Sequence, residues 1–261
     1  MGKPLILLTG ASGTIGTAVM RNLADHYEIR PLTRRKAEFP SFVGDIANLD
    51  AILPAFEGVS AVVHLAGSSS VQTSWNDVLH NNLIGTYNVF EAARRANVDR
   101  VVFASSNHAI GMYEIDGGPE LYELDDQRVY DHTVEVRPDS LYGVSKVYGE
   151  ALGRYFHDVH QMRVYCLRIG SVRADDTSTP ATIAREASWL DMTPEQKRKR
   201  LRATWMSQRD CTDLIARCLE VDEPTWAVVY GLSNNPRQFW DLSHARDALG
   251  FEPHDSAAVE M

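Results

Sequence analysis

The chain is short of positive charge. Against 35 aspartates and glutamates it carries 26 lysines and arginines, a formal net charge of −9. That balance excludes a nucleic-acid backbone as its main partner, because phosphate contacts are made by clustered Lys and Arg. Cysteine is scarce too: Cys166, Cys211 and Cys218, with no CxxC pair. This excludes a disulfide framework and a thiolate zinc site, so no metal is expected. It points to reduced thiols and a cytoplasmic location. No apolar run reaches the ~20 residues of a membrane span. The opening MGKPLILLTG meets a glycine too soon for a signal peptide. Its sixth residue, Ile6, is not the Ser or Thr of a myristoylation signal. Repeats and low-complexity segments are also missing. What remains is a 261-residue chain with 44% hydrophobic residues, enough for a real core.

Short β-branched runs alternate with helix-patterned stretches. Strands are expected at Leu5–Leu8, Glu28–Leu32, Ser60–Leu65, Arg100–Ala104 and Val164–Ile169. Helices are expected at Gly16–Asp25, Asn76–Ala96 and Leu141–Val159. This order implies an α/β fold: a doubly wound parallel sheet with helices on both faces. Two long connections break the rhythm. Tyr113–Asp139 is acidic, and Ala174–Arg202 is polar and ends in a basic run. Both follow strand ends, where open α/β sheets bind ligands.

The first strand runs into TGASGTIG, which spans Thr9 to Gly16. Gly10 allows a tight turn, Gly13 lets the backbone approach a pyrophosphate, and Gly16 lets the helix pack close to the strand. Ser12, Thr14 and Ile15 complete the loop. Its place between a strand and a helix makes it a dinucleotide cradle of Rossmann type rather than a plain glycine turn. The second strand ends LTRRK, with Thr33 where an NAD-binding carboxylate would stand. Arg34 is therefore expected to meet the 2′-phosphate of NADP, which favours NADP over NAD; the plain alternative is two arginines solvating a strand end. Asp45 and Ile46 form a turn toward the adenine, although Asp45 also suits a cap for a helix over Asn48–Phe56. Leu65, Ala66 and Gly67 end the fourth strand beside the cofactor, while His64 reads as a packed strand residue.

YGVSK places Tyr142 and Lys146 four residues apart, on one helix face. A free tyrosine, with a pKa near 10, is a poor base at neutral pH, and an ammonium one turn away favours the phenolate. A serine at the Ser105-Ser106 strand end can hydrogen-bond the reacting oxygen. The run Lys197–Arg200 also fits one solvated helix face over Glu195–Arg202. Trp205 and Trp240 read as packing residues.

Glycine loop, VVHLAG, SSN and YGVSK, in this order, resemble the extended short-chain dehydrogenases/reductases, the NAD-dependent epimerase/dehydratase superfamily. FASSNHAIG, LRIGS and RATWMSQRD most resemble uronate dehydrogenases. The tail VVYGLSNNPRQFWDLSHARDALGFEP resembles the NAD-dependent glucose-6-phosphate dehydrogenases of halophilic archaea. The resemblance implies a single domain over 1–261, with substrate-lobe segments at about 170–210 and 232–261. It implies oxidation of the anomeric carbon of a small anionic sugar, a uronate or a hexose 6-phosphate, to a lactone. Tyr142 is then the base, Lys146 tunes it and holds the nicotinamide ribose, and Ser106 polarises the substrate oxygen. Asn82, Ser105 and Ile169 join the cofactor site. Ser69, Ser70, Asn107, His108, Ser171 and Arg200 join the substrate site, with Arg200 gripping the anion. The equivalents of Asn76–Ala96 and Leu141–Val159 pair in a homodimer. LTRRK and the long segment before RATW depart from the family pattern. A nucleotide-sugar epimerase or dehydratase uses the same Tyr and Lys, but only about ninety residues follow LRIGS to hold a nucleotide. A non-catalytic NADP sensor has no need of Ser106, Tyr142 and Lys146 together.

Overall fold

The computed structural model describes residues 2–181, 183 and 191–258. The first half runs β1 (Leu5–Thr9), α1 (Thr14–Asn22), β2 (Glu28–Thr33), β3 (Phe42–Val43), α2 (Leu49–Ile52) and β4 (Ala61–His64). A long helical stretch follows: α3 (Trp75–Asp77), a π-helical segment Val78–Ile84, and α4 (Gly85–Arg95). The second half runs β5 (Arg100–Ser106), α5 (Met112–Gly117), α6 (Leu141–His160), β6 (Arg163–Ile169), α7 (Pro194–Thr204), α8 (Gln208–Glu220), β7 (Trp226–Gly231) and α9 (Ser243–Leu249).

Among the described residues, seven strands form one all-parallel sheet in the order β3-β2-β1-β4-β5-β6-β7. The doubly wound arrangement is as expected. The strands are apolar on both faces because both are covered. Ile6 and Leu8 pack toward Val19, Leu214 and Leu249 of α1, α8 and α9. Leu7, between them, packs on the other face, toward Ile52, Phe90 and Phe156. The strand order reverses between β1 and β4. The loops after these two strands therefore diverge, and they open a crevice at the carboxyl ends of the strands.

The expected strands and helices are present, with shifted ends. β5 runs two residues beyond Ala104, through Ser105 and Ser106. α8, β7 and α9 were not anticipated as elements. The acidic connection 113–139 is packed rather than open. Leu121 and Tyr122 join Ala203 of α7 and Tyr230, Phe239 and Trp240 in a third buried cluster. The backbone of Tyr130 bonds both Phe239 and Asp241. Burial of a side chain such as Phe239 stabilises this layer by about 1.5–3 kcal/mol. Trp205 and Trp240 are packing residues, both buried. Of the long segment 174–202, residues 182 and 184–190 lie outside the described part; its end is α7, started by a Thr193 capping box with Gln196.

Candidate active site

The loop after β1 is shaped for close approach. Gly10 has φ +72°, and a Cβ there would lie 2.8 Å from the Ala66 nitrogen. A Cβ on Gly16 would lie 2.3 Å from the Gly10 oxygen. A side chain at Gly10 would force apart the loops after β1 and β4, and one at Gly16 would push α1 away from the loop that precedes it. Gly13 caps α1 with no side-chain hydrogen bond, and the first turn holds no acidic residue. The N-terminal amides therefore face the crevice with their partial positive charge. The Thr9 hydroxyl accepts from Leu65 and Ala66 N–H at 3.1 and 3.0 Å, which sets the spacing between the loops after β1 and β4. These features fit a dinucleotide pyrophosphate: a cradle that a Cβ would fill, beside uncapped amides.

The crevice is a cavity of about 770 Å³. It is lined by Gly10, Ser12, Gly13, Thr14, Ile15 and Gly16 on one side, and by Arg34, Asp45 and Ile46 beyond them. Leu65, Ala66, Gly67, Ser69, Ser105, Ser106, Asn107, His108, Tyr142, Lys146, Ile169, Ser171 and Arg200 also stand at its walls, as expected. Two expected residues are not on the wall. Ser70 lies outside it and accepts from Gln72 N–H. Asn82 lies behind it. Its side chain accepts from Ser68 N–H at 2.7 Å and donates to the Ser68 carbonyl at 3.0 Å and to the Ser145 hydroxyl at 2.9 Å. Asn82 thus ties the loop after β4 to α6, and it does so from the π-helical segment, a device often found at functional sites.

Arg34 is exposed and donates to Asn81 at 3.4 Å. The Thr33 hydroxyl beside it is paired with Ser41. Asp45 caps its own turn by accepting from Ala47 N–H, and the cap of α2 is Asn48. His64 is buried between the Thr9 and Thr86 hydroxyls, and burial pushes its pKa down to about 3, so it is a neutral packing residue. Among the described residues, four cationic side chains, Arg34, Lys146, Arg173 and Arg200, line the cavity, against one carboxylate, Asp45. Arg173 and Arg200 are themselves paired with Asp175 and Glu114, so the excess of positive charge at the wall is smaller than this count.

Tyr142 and Lys146 lie on the inner face of α6, and Ser140 caps that helix by accepting from Gly143 N–H. Lys146 Nζ donates to the Ala104 carbonyl at 2.6 Å and lies 5.4 Å from the Tyr142 ring centre. Burial pulls its pKa down to about 8, while Glu150 acts to raise it. Burial likewise raises the Tyr142 phenol. A hydrogen bond with Ser106 offsets this in part, and the Asp139 carboxylate adds to the rise. The lysine therefore does not produce the lowered phenol pKa expected from spacing alone, because desolvation of a buried ring dominates. Ser106 also caps the turn after β5, accepting from His108 N–H.

Three carboxylates that support the site were missed in the sequence. Glu150 accepts from Ser105 at 2.6 Å and from Arg168 at 2.9 Å on each oxygen, so the Ser105 side chain is structural. Asp139 bonds His108 Nδ1 at 2.6 Å; a carboxylate only accepts, so that nitrogen carries the hydrogen. Glu114, from the acidic connection, is paired through both oxygens with Arg200. Arg200 thus reaches the cavity wall already holding a carboxylate of its own chain. Burial pushes the guanidinium toward neutrality, and Glu114, together with Tyr122 and Asp139, more than offsets that. No linear signal marked these partners: Glu114 and Arg200 are 86 residues apart.

The family model described as NAD dependent epimerase/dehydratase family matches residues 6–188. The NAD-dependent glucose-6-phosphate dehydrogenase of Haloferax volcanii is 37% identical over 269 residues, covering 99% of this chain and 95% of that protein. The L-arabinose 1-dehydrogenase (NAD(P)(+)) of the same organism is 38% identical, over 97% and 98%. A crystal structure of a uronate dehydrogenase point mutant from Agrobacterium tumefaciens, complexed with NAD, superposes with a TM-score of 0.80. Identity to it is 30%, over 98% of this chain and 86% of that one.

Proposed function

Because this chain belongs to the NAD dependent epimerase/dehydratase family, we propose that it is a sugar C1 dehydrogenase. It oxidises the anomeric hydroxyl of a sugar acid or sugar phosphate, a uronate or a hexose 6-phosphate, to a lactone. One observation carries the reading: Ser106, Tyr142 and Lys146 are buried together on the wall of the cavity that holds the glycine cradle. Relatives named for C1 and sugar-phosphate oxidation match along nearly the whole chain, which favours this reading over a nucleotide-sugar epimerase.

A bound nicotinamide dinucleotide supplies the two-electron acceptor. The chain's residues do the rest. Ser106 donates to the C1 oxygen as it becomes a carbonyl. Tyr142 takes the hydroxyl proton as C1 is oxidised, so its burial must be offset in the reacting complex. Lys146, held by the Ala104 carbonyl, keeps a positive charge beside the phenol. Asn107, His108 and Ser171 offer hydrogen bonds to the sugar hydroxyls. Arg200 faces the anionic group; its charge is already compensated, so it contributes directed hydrogen bonds more than net attraction. The product lactone opens in water.

NADP is favoured over NAD, since the end of β2 offers Arg34 and no carboxylate. The described residues of the segments about 170–210 and 232–261 form the substrate lobe. The chain works as a homodimer through α4 and α6, whose outer faces expose Tyr87, Val144, Tyr155 and Val159 at 45%, 45%, 51% and 56%. No described helix is long and apolar enough to cross a membrane. The three cysteines are buried free thiols, which supports a cytoplasmic setting. The test is turnover of galacturonate, glucuronate and glucose 6-phosphate with each cofactor, followed at the absorbance of the reduced nicotinamide. Absence of turnover with all three refutes the reading.

A further inference from the structure

Arg200 and Glu114 are almost fully buried, with side-chain exposures of 4% and 3%. Arg200 reaches the cavity wall, while Glu114 sits behind it. Both Glu114 oxygens accept from the guanidinium, and Tyr122 OH donates to Glu114 at 2.7 Å. The carboxylate is therefore fixed by α5, by the turn that carries Tyr122, and by α7.

A buried guanidinium with no counter-ion is costly, because desolvation is not repaid. At a pocket wall, a substrate anion can act as that counter-ion. Such a pocket rejects neutral sugars, which leave the charge stranded. An internal carboxylate removes this demand. A neutral sugar then binds without stranding Arg200, and an anionic sugar gains less from it.

We propose that Glu114 sets the charge selectivity of the sugar pocket: by compensating Arg200 from within, it admits neutral aldoses alongside anionic sugars. This rests on the reading of the chain as a sugar C1 dehydrogenase and names the substrate class more closely. Arg200 is the ligand at the wall, and Glu114 acts through it as a positioning and charge-matching residue.

The test compares matched sugars that differ only at C6: galactose with galacturonate, and glucose with glucose 6-phosphate. The wild type is expected to oxidise both members of each pair, with kcat/KM values within about tenfold, one charged hydrogen bond's worth. Glu114→Gln keeps the shape and removes the charge. It is expected to raise the anionic-to-neutral ratio by at least about tenfold, mainly through KM. It should also make inorganic phosphate a stronger inhibitor of galactose oxidation. Tyr122→Phe removes a hydrogen bond from the same carboxylate but not its charge, so it should lower stability and leave the ratio unmoved. If Glu114→Gln does not fold, Glu114→Asp draws the carboxylate back from Arg200 and should move the ratio the same way, by less. An unchanged ratio in the variant, or a wild type that accepts only the anionic members, overturns the inference and leaves the dehydrogenase reading standing. A wild type that oxidises none of the four sugars refutes the dehydrogenase reading and the inference with it.

Discussion

Replacing Glu150 by glutamine tests the layer on which the catalytic side chains rest. Glu150 and Arg168 have side-chain exposures of 8% and 4% and share two hydrogen bonds of 2.9 Å. Ser105 donates a third, of 2.6 Å, to the same carboxylate. Glu150→Gln leaves the Arg168 guanidinium buried without its counter-ion. Breaking a buried pair from one side costs about 3–5 kcal/mol. For a domain of this size that corresponds to a fall in Tm of about 6–20 °C. The same carboxylate holds up the pKa of Lys146, which already lies near 8. Its removal should drop the lysine further, so that less of it stays charged at neutral pH. Urea denaturation gives the stability change, and thermal scans check the shift. The double variant Glu150→Leu/Arg168→Met, apolar on both sides, should recover most of the loss, because neither charge is left stranded. A cost below about 1 kcal/mol for Glu150→Gln would mean that Arg168 does not depend on Glu150 as its buried counter-ion.

Three further outcomes are expected. Arg34→Ala should weaken NADP binding more than NAD binding, by about 1.5–3 kcal/mol for lost charged hydrogen bonds; equal losses by titration calorimetry contradict the NADP assignment. Burial holds His64 neutral with a pKa of about 3, while the unfolded imidazole takes its proton near 6.5. The unfolded state therefore binds the extra proton between these values, and stability falls by up to about 1.4 kcal/mol for each pH unit of acidification through that window. His64→Gln should move the acid-unfolding midpoint to lower pH, and an unmoved midpoint counts against this. Sedimentation at micromolar concentration should show a dimer that Tyr155→Glu, on the exposed face of α6, turns into a monomer; a monomeric wild type rules the interface out.

The chemistry-bearing motifs were legible because their geometry is local. Gly10 to Gly16 lie within one strand–helix turn, and Tyr142 and Lys146 within one helical turn, so spacing alone places them. α8 was also legible in principle: Cys211, Leu214, Ile215 and Cys218 recur at helical spacing and are all buried. β7 carries a short apolar run of the same kind as the strands that were recognised. The polar pairs behind the site were not legible. Ser105 with Glu150, His108 with Asp139, and Glu114 with Arg200 meet only when distant segments fold together. Ser105 stands on the cavity wall as expected, and its hydroxyl also anchors an ion pair, which no local pattern announced. The rise of the Tyr142 phenol was hidden for a related reason. Four-residue spacing reports the nearby ammonium, but not the burial that outweighs it.

If Tyr142 takes the proton of the anomeric hydroxyl, removing its phenol oxygen must slow the oxidation itself. The most direct measurement is turnover of one sugar by Tyr142→Phe, followed at the absorbance of the reduced cofactor across a pH series, with cofactor affinity measured in parallel. Loss of a general base typically costs about a hundredfold to ten-thousandfold in rate. A loss of that size is expected at every pH, with the fold and cofactor binding intact because the ring remains. Near-normal turnover by Tyr142→Phe would contradict it.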